Sequence, residues 1–213
     1  MRVLACLKTA GRNACLSLAL IAVSYEPTFS AYSTQQPPAQ TATVTAAVQA
    51  SFGTALEAVT GFQPFYVTGD FNGDAIQDIA VVVRIKGPRS ALPKDVRLVN
   101  PFWKSPKVTY PTNPAAENKV GLAIIHSWKT QTATKFLLIG EAGILVFDYD
   151  RTSDPTGAKN LIDVMKKRGK RPAGMEYPRG ARGDVILLFT QVGDETPLFW
   201  NGRTYRWIEG GYD

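Results

Sequence analysis

Short apolar runs set between turn-forming residues constrain this chain more than any other feature. Phe65–Val67, Ile79–Ile85, Leu122–Trp128, Phe136–Ile139, Ile144–Tyr149 and Val185–Gln191 are too short for stable helices and rich in β-branched or aromatic residues. Such runs predict strands. Asn201-Gly202, between two further apolar runs, predicts a hairpin with a two-residue turn in which Trp200 opposes Arg203 and Leu198 opposes Tyr205. Leu198, Trp200, Tyr205 and Trp207 then share a face. Helical spacing is found at Val44, Val48, Phe52, Leu56 and Val59, ending at Gly61. A second helix is expected around Ala158–Arg168, opened near Asp154-Pro155 and stopped at Gly169. Between strands, Lys86–Asn118 carries several prolines and reads as a long irregular excursion. No unit repeats at a period of about 20–50 residues, which argues against a propeller or solenoid. The expected fold is α+β: a largely antiparallel sheet with one or two packed helices, in a single domain over residues 43–213.

Before that domain, the composition is that of a targeting signal. Residues 1–14 contain Arg2, Lys8 and Arg12 and no acid, and Leu16–Val23 is continuously apolar. A basic stretch, a short apolar run and small residues after it form a secretory signal peptide, expected to cover 1–24 with cleavage as late as residue 30. The apolar run is far shorter than the roughly 20 residues of a membrane-spanning helix. A periplasmic or extracellular location follows, with no transmembrane segment in the mature chain. Residues 25–42, polar and proline-bearing without a hydrophobic period, read as a flexible linker. Cys6 and Cys15 both fall in the signal, so the mature chain is expected to lack thiol chemistry.

Charge narrows the classes further. The 213 residues carry a formal charge of +6, which becomes +3 when the signal's three cations are removed. Lys166–Arg182 alone holds seven basic residues against Glu176, so the rest of the mature chain is net acidic. Overall basicity therefore gives no reason to expect a nucleic-acid partner, and no nucleic-acid recognition motif is present.

Residues 69–83 read GDFNGDAIQDIAVVV. Asp70, Asn72, Asp74 and Asp78 occupy positions one, three, five and nine of a loop, and Ile76 offers its carbonyl at position seven. Oxygens at alternate positions of a tight loop suit calcium, which takes about six to eight oxygen ligands. The alternative is a metal-free Asx-rich turn capping a strand, in which three crowded carboxylates would repel one another. The segment resembles the Asp-x-Asn-Gly-Asp loops of FG-GAP and VCBS-type repeats. That resemblance implies calcium at Asp70, Asn72, Asp74, Ile76 and Asp78, with a strand following at once. Two departures from the family pattern are Ala75 where glycine is usual, and one copy where the family has several. Val81 at position twelve excludes an EF-hand. The whole chain also resembles exported bacterial proteins that pair one such loop with a Trp-rich end, a likeness that implies no activity.

Other constellations are weaker. His126 and Ser127 are adjacent in a strand-like run, so they point to opposite faces and do not form a nucleophile–base pair. Asp148 and Asp150 share a strand face, as paired carboxylates of a glycoside hydrolase could, and equally as a strand end entering solvent. Lys166–Arg182 suits either a solvated loop or a patch for phosphate-bearing envelope polymers or anionic lipid. The C-terminal aromatic face could stack on carbohydrate or pack into the core. The expected function is a non-enzymatic exported binding or interaction module with a structural calcium loop. The alternatives are a carbohydrate-active hydrolase using Asp148 and Asp150, and an envelope protein binding anionic polymers through the basic segment.

Overall fold

In the computed structural model, residues 38–61, 64–101, 108–114, 120–130, 133–139, 162–169, 171, 174–189 and 195–208 are described. They contain one α-helix and ten strands in two sheets. Helix α1 spans Pro38–Phe52, taking in the last residues of the stretch read as linker. Val44, Val48 and Phe52, spaced one turn apart, are buried on its inner face. The helix stops where Gly53 turns to φ 65°, a left-handed conformation that glycine adopts without steric cost. Leu56 is thereby moved out of the helix and into strand β1, Leu56–Ala58.

Strands β2 (Tyr66–Gly69), β3 (Asp78–Ile85), β4 (Arg97–Val99), β5 (Val120–His126) and β6 (Thr134–Leu138) complete the first sheet. Its order is β1-β3-β5-β6-β4, and β2 also pairs with β3. β1 meets the Val83–Ile85 end of β3 and β2 meets the Asp78–Val81 end, so the two short strands follow one another along β3. All pairings are antiparallel except β4 with β6. The second sheet is antiparallel, in the order β10-β9-β8-β7, from β7 (Ile162–Met165), β8 (Val185–Phe189), β9 (Glu195–Trp200) and β10 (Tyr205–Trp207).

The continuous apolar run of β3 is explained by its two faces. Ile79, Val81, Val83 and Ile85 pack in one cluster with Val44, Val48 and Phe52 of α1. Ala80 and Val82, pointing the other way, pack with Ile162, Ile186, Leu188, Leu198 and Tyr205 of the second sheet. A strand covered on both faces has no solvent side and so needs no alternation. On the second sheet's outer face, Met165, Val185, Leu187 and Phe199 are covered in part by Met175, Tyr177 and Ala181.

The α+β expectation is corrected by this architecture, which is mainly β: ten strands and a single helix among the described residues. The second helix expected around 158–168 is not formed over 162–165, which is strand β7. Ile162 and Met165 are buried and Asp163 is exposed, and the strand is held by its register with β8, Ile162 to Leu188 and Met165 to Val185. Pairing with a neighbouring strand overrides a local pattern compatible with helix. Within the excursion expected over 86–118, Arg97–Val99 forms β4 by pairing parallel to Phe136–Leu138. Ile144–Tyr149, Asp148 and Asp150, the signal segment and most of the linker lie outside the described residues. No helix among the described residues is long and apolar enough to cross a membrane.

Candidate functional site

The 70–78 loop joins β2 to β3 and is knotted by its own side chains. Asp70 Oδ1 accepts from the backbone N–H groups of Gly73 (2.8 Å) and Asp74 (3.0 Å), and Oδ2 accepts from Ala75 N–H (3.0 Å). Asn72 Oδ1 accepts from Asp74 N–H at 3.0 Å, and Asp74 Oδ1 from Ile76 N–H at 2.8 Å. Asn72 Nδ2 donates to Asp74 Oδ2 at 2.8 Å. Asp and Asn at alternate positions thus take up backbone donors that no strand satisfies, which is the local reason this spacing makes a tight loop. Two residues have positive φ, Gly73 at 81° and Ala75 at 65°. Ala75 thus adopts the left-handed conformation that glycine takes without steric cost.

Asp78 is fully buried at the start of β3. Its Oδ2 accepts from Phe71 N–H (2.8 Å) and Asn72 N–H (3.2 Å), and its Oδ1 from Ser127 N–H (2.7 Å). Burial raises its pKa to about 6, against the downward pull of these three donors and with a further rise from Asp74. Ser127, just past β5, has φ 52°. That conformation aims its N–H at Asp78 and brings its hydroxyl within 3.4 Å of Asp74 Oδ2. Phe71, fully buried in the core between the sheets, anchors the loop from below.

A second segment clasps the loop. Asp184 N–H donates to the Asp70 carbonyl at 2.6 Å, and Asp70 N–H donates back to Asp184 Oδ2 at 3.1 Å. A side chain on Gly183 would run into the backbone of Asp70, Phe71 and Gly73, so only glycine permits this approach. Asp184 Oδ2 also receives Lys166 Nζ at 2.8 Å, and Oδ1 receives Lys167 N–H at 2.9 Å. Burial pulls the Asp184 pKa upward, but Lys166 and the two backbone donors outweigh it and hold the carboxyl below its ordinary value.

His126 is buried among Phe136, Trp200 and Tyr205, with ring centroids at 4.8, 5.3 and 5.8 Å. Its Nε2 shares a 2.6 Å hydrogen bond with the Tyr205 hydroxyl. Burial lowers the imidazole pKa to about 4, against the upward pull of Asp74 and Asp70. His126 and Ser127 therefore serve different structures, one the aromatic core and the other the loop.

The hairpin differs from expectation in its turn. Tyr205 pairs with Trp200 and Trp207 with Leu198, giving a four-residue connection in place of two. Asn201 Oδ1 accepts from both Arg203 N–H and Thr204 N–H, which holds the longer turn. The aromatic face survives this change because the shift is by an even number of residues. Leu198 and Tyr205 are buried in the core between the sheets, with Trp200 and Trp207 packed against it.

The structure brings Asp70, Asn72, Asp74, Ile76 and Asp78 into one loop. Each carboxylate keeps at least one oxygen with a single hydrogen-bond donor among those described, as does Asn72 Oδ1, so lone pairs remain for a cation. Among the described residues, no group of three or more His, Cys, Asp or Glu side chains is drawn together as a formed metal centre. Ser127, Gly183 and Asp184 are the members of this site that local spacing does not reveal. The Gly-Asp pair before the β8 run, like Gly69-Asp70 before the loop, is the only local signal of the clasp. Comparison with known proteins found no matching family model, curated protein or solved structure.

Proposed function

We propose that the chain is a non-enzymatic exported binding or interaction module whose 70–78 loop takes calcium as a structural ion. The observation that carries this reading is the left-handed Ala75 inside a loop whose Asp70, Asn72 and Asp74 already fold back on its backbone. Asp70, Asn72, Asp74 and Asp78 would hold the ion with side-chain oxygens, the Ile76 carbonyl would add another, and water would complete the shell. The ion would supply charge neutralisation for three aspartates and cross-link the start of β3 to the loop. It would draw Asp74 and Asp78 closer together than their hydrogen bonds alone do. A structural rather than catalytic role agrees with where the buried ionisable groups spend their bonds. Asp78 holds three backbone N–H groups and His126 a tyrosine hydroxyl. Export rests on the basic and apolar N-terminal segment.

A thermal melt of the full chain in calcium and in chelator tests the ion. Calcium at tenfold its Kd adds about 1.4 kcal/mol of stability. For a domain of this size that is a rise of about 3–6 °C in Tm. Asp70→Asn/Asp74→Asn should remove the shift. An unchanged Tm at saturating calcium would take the ion out of the reading.

A further inference from the structure

We infer that one end of the second sheet is a binding surface for a polymer of closely spaced oxyanions. The registers place three separate connections there. Met165 pairs with Val185, Ile186 with Leu198, and Trp200 with Tyr205. The chain leaving β7, the chain entering β8 and the β9–β10 turn therefore emerge side by side. Each carries cations: Lys166, Lys167 and Arg168 on the first, Arg182 on the second, Arg203 on the third. All five are exposed.

Contacts join the three connections. Lys167 Nζ donates to the Arg182 carbonyl at 2.6 Å. Arg182 N–H donates to the Trp200 carbonyl at 2.9 Å, and its guanidinium lies over Gly202, next to Arg203. Lys166 is neutralised by Asp184, whose side chain is only 12% exposed and whose oxygens are occupied. Arg203 lies outside the basic stretch of the sequence and joins it only through the fold. Arginine's planar fork suits phosphate or carboxylate oxygens, and separate loops can follow a chain of them.

A lipid surface fits less well. Ile76 and Ile208 are the large exposed apolar side chains among the described residues. Ile208 follows β10 at the opposite end of the sheet, leaving one aliphatic group near the cations, too little to anchor in a bilayer. The inference rests on reading the chain as a binding module, and it is separable from calcium. Asp70 and Asp74 border the surface through Gly73, which lies against Arg182, so calcium in that loop would strengthen anion binding without creating it.

The test is titration of the full chain, in chelator at low salt, with inorganic polyphosphate and with polygalacturonate. Saturable binding to at least one, weakening as salt rises, is expected, and the tighter of the two identifies the oxyanion. Arg168→Glu/Arg203→Glu should weaken it about tenfold or more at low salt with Tm unchanged. Lys86→Glu/Lys94→Glu, an equal charge change at exposed positions elsewhere, should leave binding within about twofold of wild type. No binding to either polymer, equal losses in both double variants, or tighter binding to phosphatidylglycerol vesicles would each overturn the inference. Polymer binding with no calcium shift in Tm would sink the ion and leave the surface standing. A calcium shift without polymer binding would do the reverse.

Discussion

Gly73 and Ala75 stand two residues apart with the same sign of φ, 81° and 65°, yet they answer substitution differently. Ala75 is exposed, and its cost is conformational, roughly 1–2 kcal/mol for a side chain in the left-handed region. Glycine there removes that cost and adds back about 0.4–1 kcal/mol of chain entropy. Ala75→Gly should therefore stabilise the protein by about 0.5 kcal/mol in urea unfolding. Gly73→Ala meets both the conformational cost and the Arg182 carbonyl, so it should destabilise by about 2–4 kcal/mol. Equal effects from the two changes would show that the loop does not hold this geometry. The spacing of Asp70, Asn72, Asp74 and Asp78 was legible in the sequence because each side chain answers a backbone donor a few residues away. Ser127 and Asp184 were not, since they reach the loop from 49 and 114 positions along the chain.

At the level of elements, the clasp made just before β8 ties the loop to the second sheet. Asp184 accepts from Asp70 N–H, Lys167 N–H and Lys166 Nζ at once. Asp184→Asn exchanges an acceptor oxygen for a donor facing other donors, at an expected cost of about 2–3 kcal/mol. Lys166→Met should cost less than about 1 kcal/mol, because the lysine is half exposed and its ion pair is screened. Chemical denaturation of both variants checks the ranking, and a larger loss from Lys166→Met would refute it. β7 shows why element type was harder to read than element existence. Its apolar residues were evident, but whether they lay on a helix or a strand was decided by the edge of β8 offered to them. The same holds for α1, whose Val44, Val48 and Phe52 were placed by spacing while its end was set at Gly53, short of Leu56 and Val59.

For the molecule as a whole, two buried ionisable groups oppose each other in the pH dependence of stability. Asp78 has its pKa raised to about 6, so its contribution is full below its ordinary 3.8 and is lost as pH rises through 6. His126 has its pKa lowered to about 4, so its contribution is full above its ordinary 6.5 and is lost as pH falls towards 4. Their slopes cancel in part between these limits. His126→Gln should make stability fall more steeply as pH rises from 4 to 6, and Asp78→Asn should make it fall more steeply as pH drops. Urea midpoints at stepped pH measure both, and wild-type slopes in the two variants would reject the opposition. Most of the apolar strand segments, the inner face of α1 and the oxygen-rich loop were legible in the sequence, because each depends on neighbours within a turn or a strand. Only the tertiary structure decided that these strands divide into two sheets, that β3 is buried on both faces, and that Asp184, Ser127 and Arg203 join distant segments. Those outcomes depend on which strand edges and which faces meet, and long-range pairing of that kind leaves no local period to read.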